Sequence, residues 1–96
     1  MIGSFKDSDL ERFYYEGAGS RTRRIPSELH RVIRRKLDQL FNAADLNDLR
    51  APPGNRLEAL KGDREGYRSV RVSDRWRIVF RWQRDTAYDV ELTDYH

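Results

Sequence analysis

The hydrophobic pattern of the chain changes period at Arg50-Ala51-Pro52-Pro53-Gly54-Asn55. Before this break apolar residues recur at helical spacing, and after it they alternate with polar ones. Leu29, Val32, Ile33, Leu37, Leu40 and Phe41 form one helical stripe after Pro26, with Arg31, Arg34 and Arg35 largely on the opposite side. Leu10, Phe13 and Tyr14 form a shorter stripe, opened by the capping box Ser8-Asp9-Leu10-Glu11 and stopped by Gly17. Asp45 to Leu49 reads as a last helical turn, and residues 2–5 as a short leading strand.

Beyond the break, Trp76, Ile78, Phe80 and Trp82 alternate with Arg75, Arg77, Val79 and Arg81, and Val70 and Val72 alternate with Ser69 and Arg71. Ser73-Asp74 and Gln83 to Thr86 are turns, and the last strand places Tyr88, Val90 and Leu92 on one side and Asp89 and Glu91 on the other. The pattern predicts an α+β fold, an antiparallel meander with two N-terminal helices on its apolar face. The arginine face is then left uncovered and open to a ligand.

At 96 residues the chain is expected to be a single domain, 1–96, with one thin core. It has no cysteine, which excludes disulfides and thiolate metal sites, and with only His30 and His96 besides the carboxylates no metal or cofactor is expected. Met1-Ile2-Gly3-Ser4-Phe5 does not open a secretory signal, and no segment approaches membrane-spanning length, so a cytoplasmic protein without membrane partners is expected.

Charge is unevenly placed. Residues 21–36 carry seven basic side chains, Arg21, Arg23, Arg24, Arg31, Arg34, Arg35 and Lys36, against the single acid Glu28. Residues 64–84 carry seven arginines against Glu65 and Asp74, whereas residues 85–96 carry four acids and no Lys or Arg. Arginine suits forked contacts to phosphate, and the asymmetry points to a polyanion or an acidic protein surface. The 21–36 run suits backbone contacts to structured RNA, or simply solvates a helix face.

Three groups of residues can carry chemistry. Arg77 and Arg81, with Arg71 across the hairpin, either stabilise charge on a transferring phosphorus or pair with Asp89 and Glu91. The terminal Asp94-Tyr95-His96 supplies a proton donor that titrates near neutrality, a ring able to stack on an unpaired base, and a carboxylate to orient the imidazole. Lys61, in Leu57-Glu58-Ala59-Leu60-Lys61-Gly62-Asp63, either reaches a bound phosphate or merely precedes a turn. His30, within the second helical stripe, reads as a half-buried or surface histidine rather than a catalyst.

Taken together, Met1-Ile2 and Ser4-Phe5, the run Pro52 to Arg64, Gly66-Tyr67, Ser69-Val70-Arg71-Val72, Trp76-Arg77-Ile78 and the closing Asp94-Tyr95-His96 resemble HigB-type toxins of the RelE superfamily over nearly the whole length. The resemblance implies a curved antiparallel sheet and metal-independent cleavage of messenger RNA in the ribosomal A site. It implies as partners the ribosome and a helix-turn-helix antitoxin, with operator DNA met only through that antitoxin. By position it ties Asp94, Tyr95, His96, Arg77 and Lys61 to activity. Several relatives carry histidine where this chain has Glu58, which makes Glu58 a tentative general base. Two other readings remain at this point, a non-catalytic module binding RNA or the ribosome and a gyrase-inhibiting toxin of the same superfamily.

Overall fold

The computed structural model describes residues 1–17 and 24–94. Helix α1 spans Ser8–Glu16 and α2 spans His30–Asn42, the latter entered through a 3-10 turn at Ser27–Leu29. Among the described residues four antiparallel strands follow, β1 (Glu58–Ala59), β2 (Tyr67–Arg71), β3 (Trp76–Gln83) and β4 (Thr86–Asp94), lying side by side in chain order. Both helices cover one face of the sheet, as their stripes require. Leu10 and Phe13 of α1 and Ile33, Leu37 and Leu40 of α2 join Val70, Ile78, Phe80, Val90 and Leu92 in one core. Asp45–Leu49 is a 3-10 turn with its own capping box, separate from α2.

Helix α1 starts one residue earlier than the sequence pattern predicts, because its cap is Asp7 and not Ser8. One Asp7 oxygen accepts the Leu10 N–H at 3.1 Å. The other accepts the β4 N–H of Leu92 at 3.2 Å and pairs with Arg24. A carboxylate at a helix N-terminus is favoured by the unsatisfied N–H groups there. Here the same group also ties helix to sheet. At the other end Gly17 takes a φ of 85°, and Arg34 of α2 donates to the carbonyls of Phe13 (2.9 Å) and Tyr14 (3.3 Å).

Residues 2–5 do not form a strand. They touch the free edge of β4 at two isolated parallel bridges, Ile2 to Ala87 and Phe5 to Val90. A β-carbon at Gly3 would lie 2.5 Å from the Tyr88 ring, so only glycine fits that approach. The alternation expected in β4 also fails at one point. The β3–β4 register slips between Val79 and Arg81, and Asp89 takes a left-handed φ of 52°. This bulge puts Tyr88 opposite Arg81, away from Val90 and Leu92. The Asp89 backbone N–H donates to Ser4 Oγ at 2.8 Å, so the irregular residue leaves no orphaned donor.

Helices α1 and α2 are joined by the Tyr14 hydroxyl, which donates to Asp38 at 3.0 Å. Burial, then the bond to Asp38, pushes the Tyr14 pKa from 10.0 to about 12. A raised folded-state pKa contributes stability that is complete below the unfolded value and disappears as pH rises through the folded one. The melting temperature should therefore fall more steeply between pH 10 and 12 in the native chain than in Tyr14→Phe. Parallel slopes across that window would show that the phenol does not link the helices.

Candidate functional site

Arg77 sits on β3, between two strands and on the face away from the helices, and its side chain is spent almost entirely on fixed acceptors. Nε donates to Ser69 Oγ at 2.7 Å, and one terminal nitrogen donates to the carbonyls of Arg56 (2.6 Å) and Ser69 (3.3 Å). The other terminal nitrogen lies 3.2 Å from a carboxylate oxygen of Glu58. Arg77 is only 9% exposed, and Ser69 and Val79 beside it are fully buried. The arginine face is thus not open along its length, as the alternation alone suggested. At its centre the guanidinium is folded down beneath the segment that leads into β1.

That segment is held from below. Asn55 ends a 3-10 turn at Pro53–Asn55, and Arg56 follows it with a left-handed φ of 43°, its carbonyl accepting from Arg77. The Asn55 amide donates to Gln39 Oε1 and to the Leu49 carbonyl, both at 3.0 Å, and its oxygen accepts from Lys36 Nζ. Asn55 is fully buried and Lys36 is 5% exposed. Burial, aided by Arg35 and Arg71, lowers the Lys36 pKa. A line of polar contacts therefore runs from α2 through the loop to the guanidinium on β3. Composition had counted Lys36 as surface charge. Its position three residues after Ile33 and four before Leu40 places it within the apolar stripe, and that was the legible signal of its burial.

The other residues singled out from sequence fall into distinct settings. Glu58, on β1, is paired with Arg77 yet exposed over 60% of its side chain. Lys61 is exposed at the start of the Gly62–Arg64 turn and makes no side-chain ion pair or hydrogen bond among the described residues. Arg71 stands opposite Arg77 across the hairpin and pairs with Asp74. Arg81 pairs with Asp89 at 2.8 Å, a hydrogen bond that raises its pKa, and lies over the Tyr88 ring. Glu91 pairs with Lys6 (3.7 Å) and Arg64 (3.4 Å), not with an arginine of β3. Asp94, at the end of β4, stands opposite Trp76 and receives a forked contact from Arg75 at 2.8 and 3.2 Å. Tyr95 and His96 lie outside the described residues.

Of the 21–36 run, Arg31 and Arg35 are exposed on α2. Arg24 is engaged by Asp7 and Asp9, and Arg34 by the end of α1, so both have structural work. Arg21 and Arg23 lie outside the described residues. His30 begins α2, where its ring packs on Phe13 and one nitrogen lies 3.0 Å from the Ile25 carbonyl. Among the described residues, no three His, Asp or Glu side chains are grouped so as to hold a metal ion, and no helix is long and apolar enough to cross a membrane.

Residues 3–96 match the family model of HigB-like toxins, described as the RelE-like toxin of the type II toxin–antitoxin system HigB. The chain belongs to this family. It is 42% identical over 92 residues to toxin HigB-1 of Vibrio cholerae, covering 96% of this chain and 95% of that one. Over the full length of both chains it is 34% identical to a Proteus vulgaris protein named endoribonuclease HigB. Two solved structures of YafQ from E. coli, one of them a mutant, superpose with a TM-score of 0.66 over 98% of this chain and 93% of theirs. At 15% and 14% identity, these two extend the likeness to the fold only.

The polar line beneath Arg77 yields a stability test. Asn55→Ala strands the buried Lys36 ammonium and the Leu49 carbonyl, and should cost about 3 kcal/mol. Lys36→Met removes the buried charge itself but leaves the Asn55 oxygen without its Lys36 donor, and should cost about 2 kcal/mol, less than Asn55→Ala because a neutral acceptor and not an ammonium is stranded. Urea unfolding of both variants decides the order; an equal loss would mean that Asn55 is not the partner on which Lys36 depends.

Proposed function

We propose that this family member is a ribosome-dependent endoribonuclease that cleaves messenger RNA in the A site and so blocks translation. The observation that carries the reading is the held guanidinium of Arg77 beside the last strand. Its acceptors on Ser69 and Arg56 fix its position before any substrate arrives, which is the arrangement that stabilises developing charge most effectively. Asp94 stands opposite Trp76, the chain neighbour of Arg77, and two further residues span at most about 7 Å. The Proteus vulgaris relative, named as an endoribonuclease and matched end to end, supports the same reading.

In this mechanism a general base takes the proton of the RNA 2′-OH, the freed oxygen attacks the adjacent phosphorus, and the bond to the 5′ oxygen breaks. His96 protonates the leaving oxygen, Tyr95 positions the base or the phosphate, and Asp94, shared with Arg75, orients the terminal residues. Arg77 and Lys61 hold the extra charge on phosphorus. Glu58, the tentative base, is also the counter-charge of a buried guanidinium. The ribosome would splay the codon for in-line attack, a positioning effect that this small set of groups cannot supply alone. Arg31 and Arg35, with Arg21 and Arg23, would meet ribosomal RNA, and Arg71 and Arg81 would border the messenger. A helix-turn-helix antitoxin would hold the toxin inactive in the cell and carry it to operator DNA.

His96→Gln should lower messenger cleavage in a translating extract by about 10²–10⁴-fold while leaving the fold intact. Undiminished cleavage, mapped at messenger ends, would remove His96 from the mechanism, and cleavage of naked RNA at the same rate would remove the ribosome. Reversing the exposed charges in an Arg31→Glu, Arg35→Glu double variant should weaken ribosome binding and flatten its salt dependence. An unchanged salt slope would show that this face of α2 does not dock.

A further inference from the structure

Arg77 has two kinds of partner. Its Nε and one terminal nitrogen are satisfied by Ser69 and by the Arg56 carbonyl, neutral acceptors built into the sheet and loop. Among the described residues, its remaining terminal nitrogen meets Glu58 alone, whose carboxylate sits on a two-residue edge strand and is 60% exposed. The fixed partners set the position of the guanidinium. The exposed partner merely neutralises it.

We infer that Glu58 is a displaceable counter-ion, occupying on Arg77 the place that a phosphate oxygen of the substrate takes. A carboxylate and a phosphodiester present the same kind of anionic oxygen pair to a guanidinium fork. A cation buried to 9% exposure needs a counter-charge in the free protein, and Glu58 supplies it without being buried itself. When a phosphate arrives, Glu58 swings into solvent and no other contact of Arg77 changes. The Glu58–Arg77 pair then sets the affinity of the resting site for an anion, since only the fraction of molecules with the pair open can bind. The inference rests on the ribonuclease reading only for the origin of the anion; the ion exchange itself concerns this chain and any phosphate.

The two are separated by an assay without RNA or ribosomes. Inorganic phosphate is titrated into the full chain at constant ionic strength, with the Nε–H resonance of Arg77 as reporter. Glu58→Gln should bind phosphate about 5–10-fold more tightly at Arg77 than the native chain, and phosphate should raise its melting temperature by more. Glu58→Asp keeps the charge one methylene further from the guanidinium, and should fall between the two; it also serves should the glutamine variant fold poorly. Equal or weaker phosphate binding in both variants would overturn the inference. So would an unmoved Arg77 resonance. In the cleavage assay a general base would reveal itself by a loss of 10²-fold or more in Glu58→Gln with phosphate affinity unchanged, and that pattern also refutes displacement. Failure of the ribonuclease reading would appear instead as absent cleavage by a native chain whose phosphate titration behaves as described.

Discussion

A guanidinium kept out of water at the middle of a sheet is the constraint around which much of this molecule is arranged. Removing such a charge from solvent costs several kcal/mol unless acceptors are ready for it. The chain provides them at specific places: a hydroxyl on β2 at Ser69, and a loop carbonyl at Arg56. The second acceptor explains the break at Pro52-Pro53-Gly54. The loop must end in a left-handed residue to aim its carbonyl, and Asn55 just before it is anchored on α2 and on the Leu49 carbonyl. Thus a polar side chain in the helical half of the sequence, Lys36, helps to place a cation in the strand half.

Arginine dominates the basic composition, and the structure divides it by task. Arg34 closes the C-terminal end of α1 while lying over the rings of Phe13 and Tyr14, a combination of bonding and stacking that lysine cannot reproduce. Arg24 bridges two acids at the start of the same helix. Arg75 and Arg81 bind carboxylates of β4. Against this background the exposed Lys61 and the outward-facing Arg31 and Arg35 stand out. Net charge overstates how much cation is free to meet a polyanion, because Asp94, Asp89 and Glu58 neutralise Arg75, Arg81 and Arg77 locally.

The change of hydrophobic period made the helices, the meander and the buried face of β3 legible without coordinates. The failures have a common physical form, a local pattern overridden by a partner distant in sequence. Ser8 looked like a cap, but Asp7 can cap the helix and also receive an N–H from β4, which no helix-local rule can register. Tyr88 looked like a core residue until the bulge at Asp89 shifted its parity, and that bulge is sustained by Ser4 from the other end of the chain. The cationic face of β3 was legible as a pattern. Its burial was not, because the cover comes from Arg56 and β1, in a stretch without helical or extended periodicity. Asp94 could be located on the final strand, whereas its forked contact with Arg75 depends on the β3–β4 register.

A site built in this way separates two demands that usually conflict. Charge stabilisation requires a cation that does not move, because reorganisation during the reaction would consume the benefit. In the proposed mechanism, proton transfer and codon entry would require groups that can approach and withdraw. Ser69 and Arg56 meet the first demand by enclosing the guanidinium in neutral hydrogen bonds whose geometry does not depend on substrate. In the proposed mechanism the second would fall to residues at the margins, a carboxylate on a two-residue edge strand and a lysine at the mouth of a turn. Such margins can vary in charge without disturbing the enclosed arginine, because its neutral hydrogen bonds to Ser69 and Arg56 do not pass through them. A carboxylate at position 58 gives the resting site its own displaceable counter-ion. The charge at position 58 should therefore govern first how readily the resting site accepts an anion, and only secondarily the chemistry that follows.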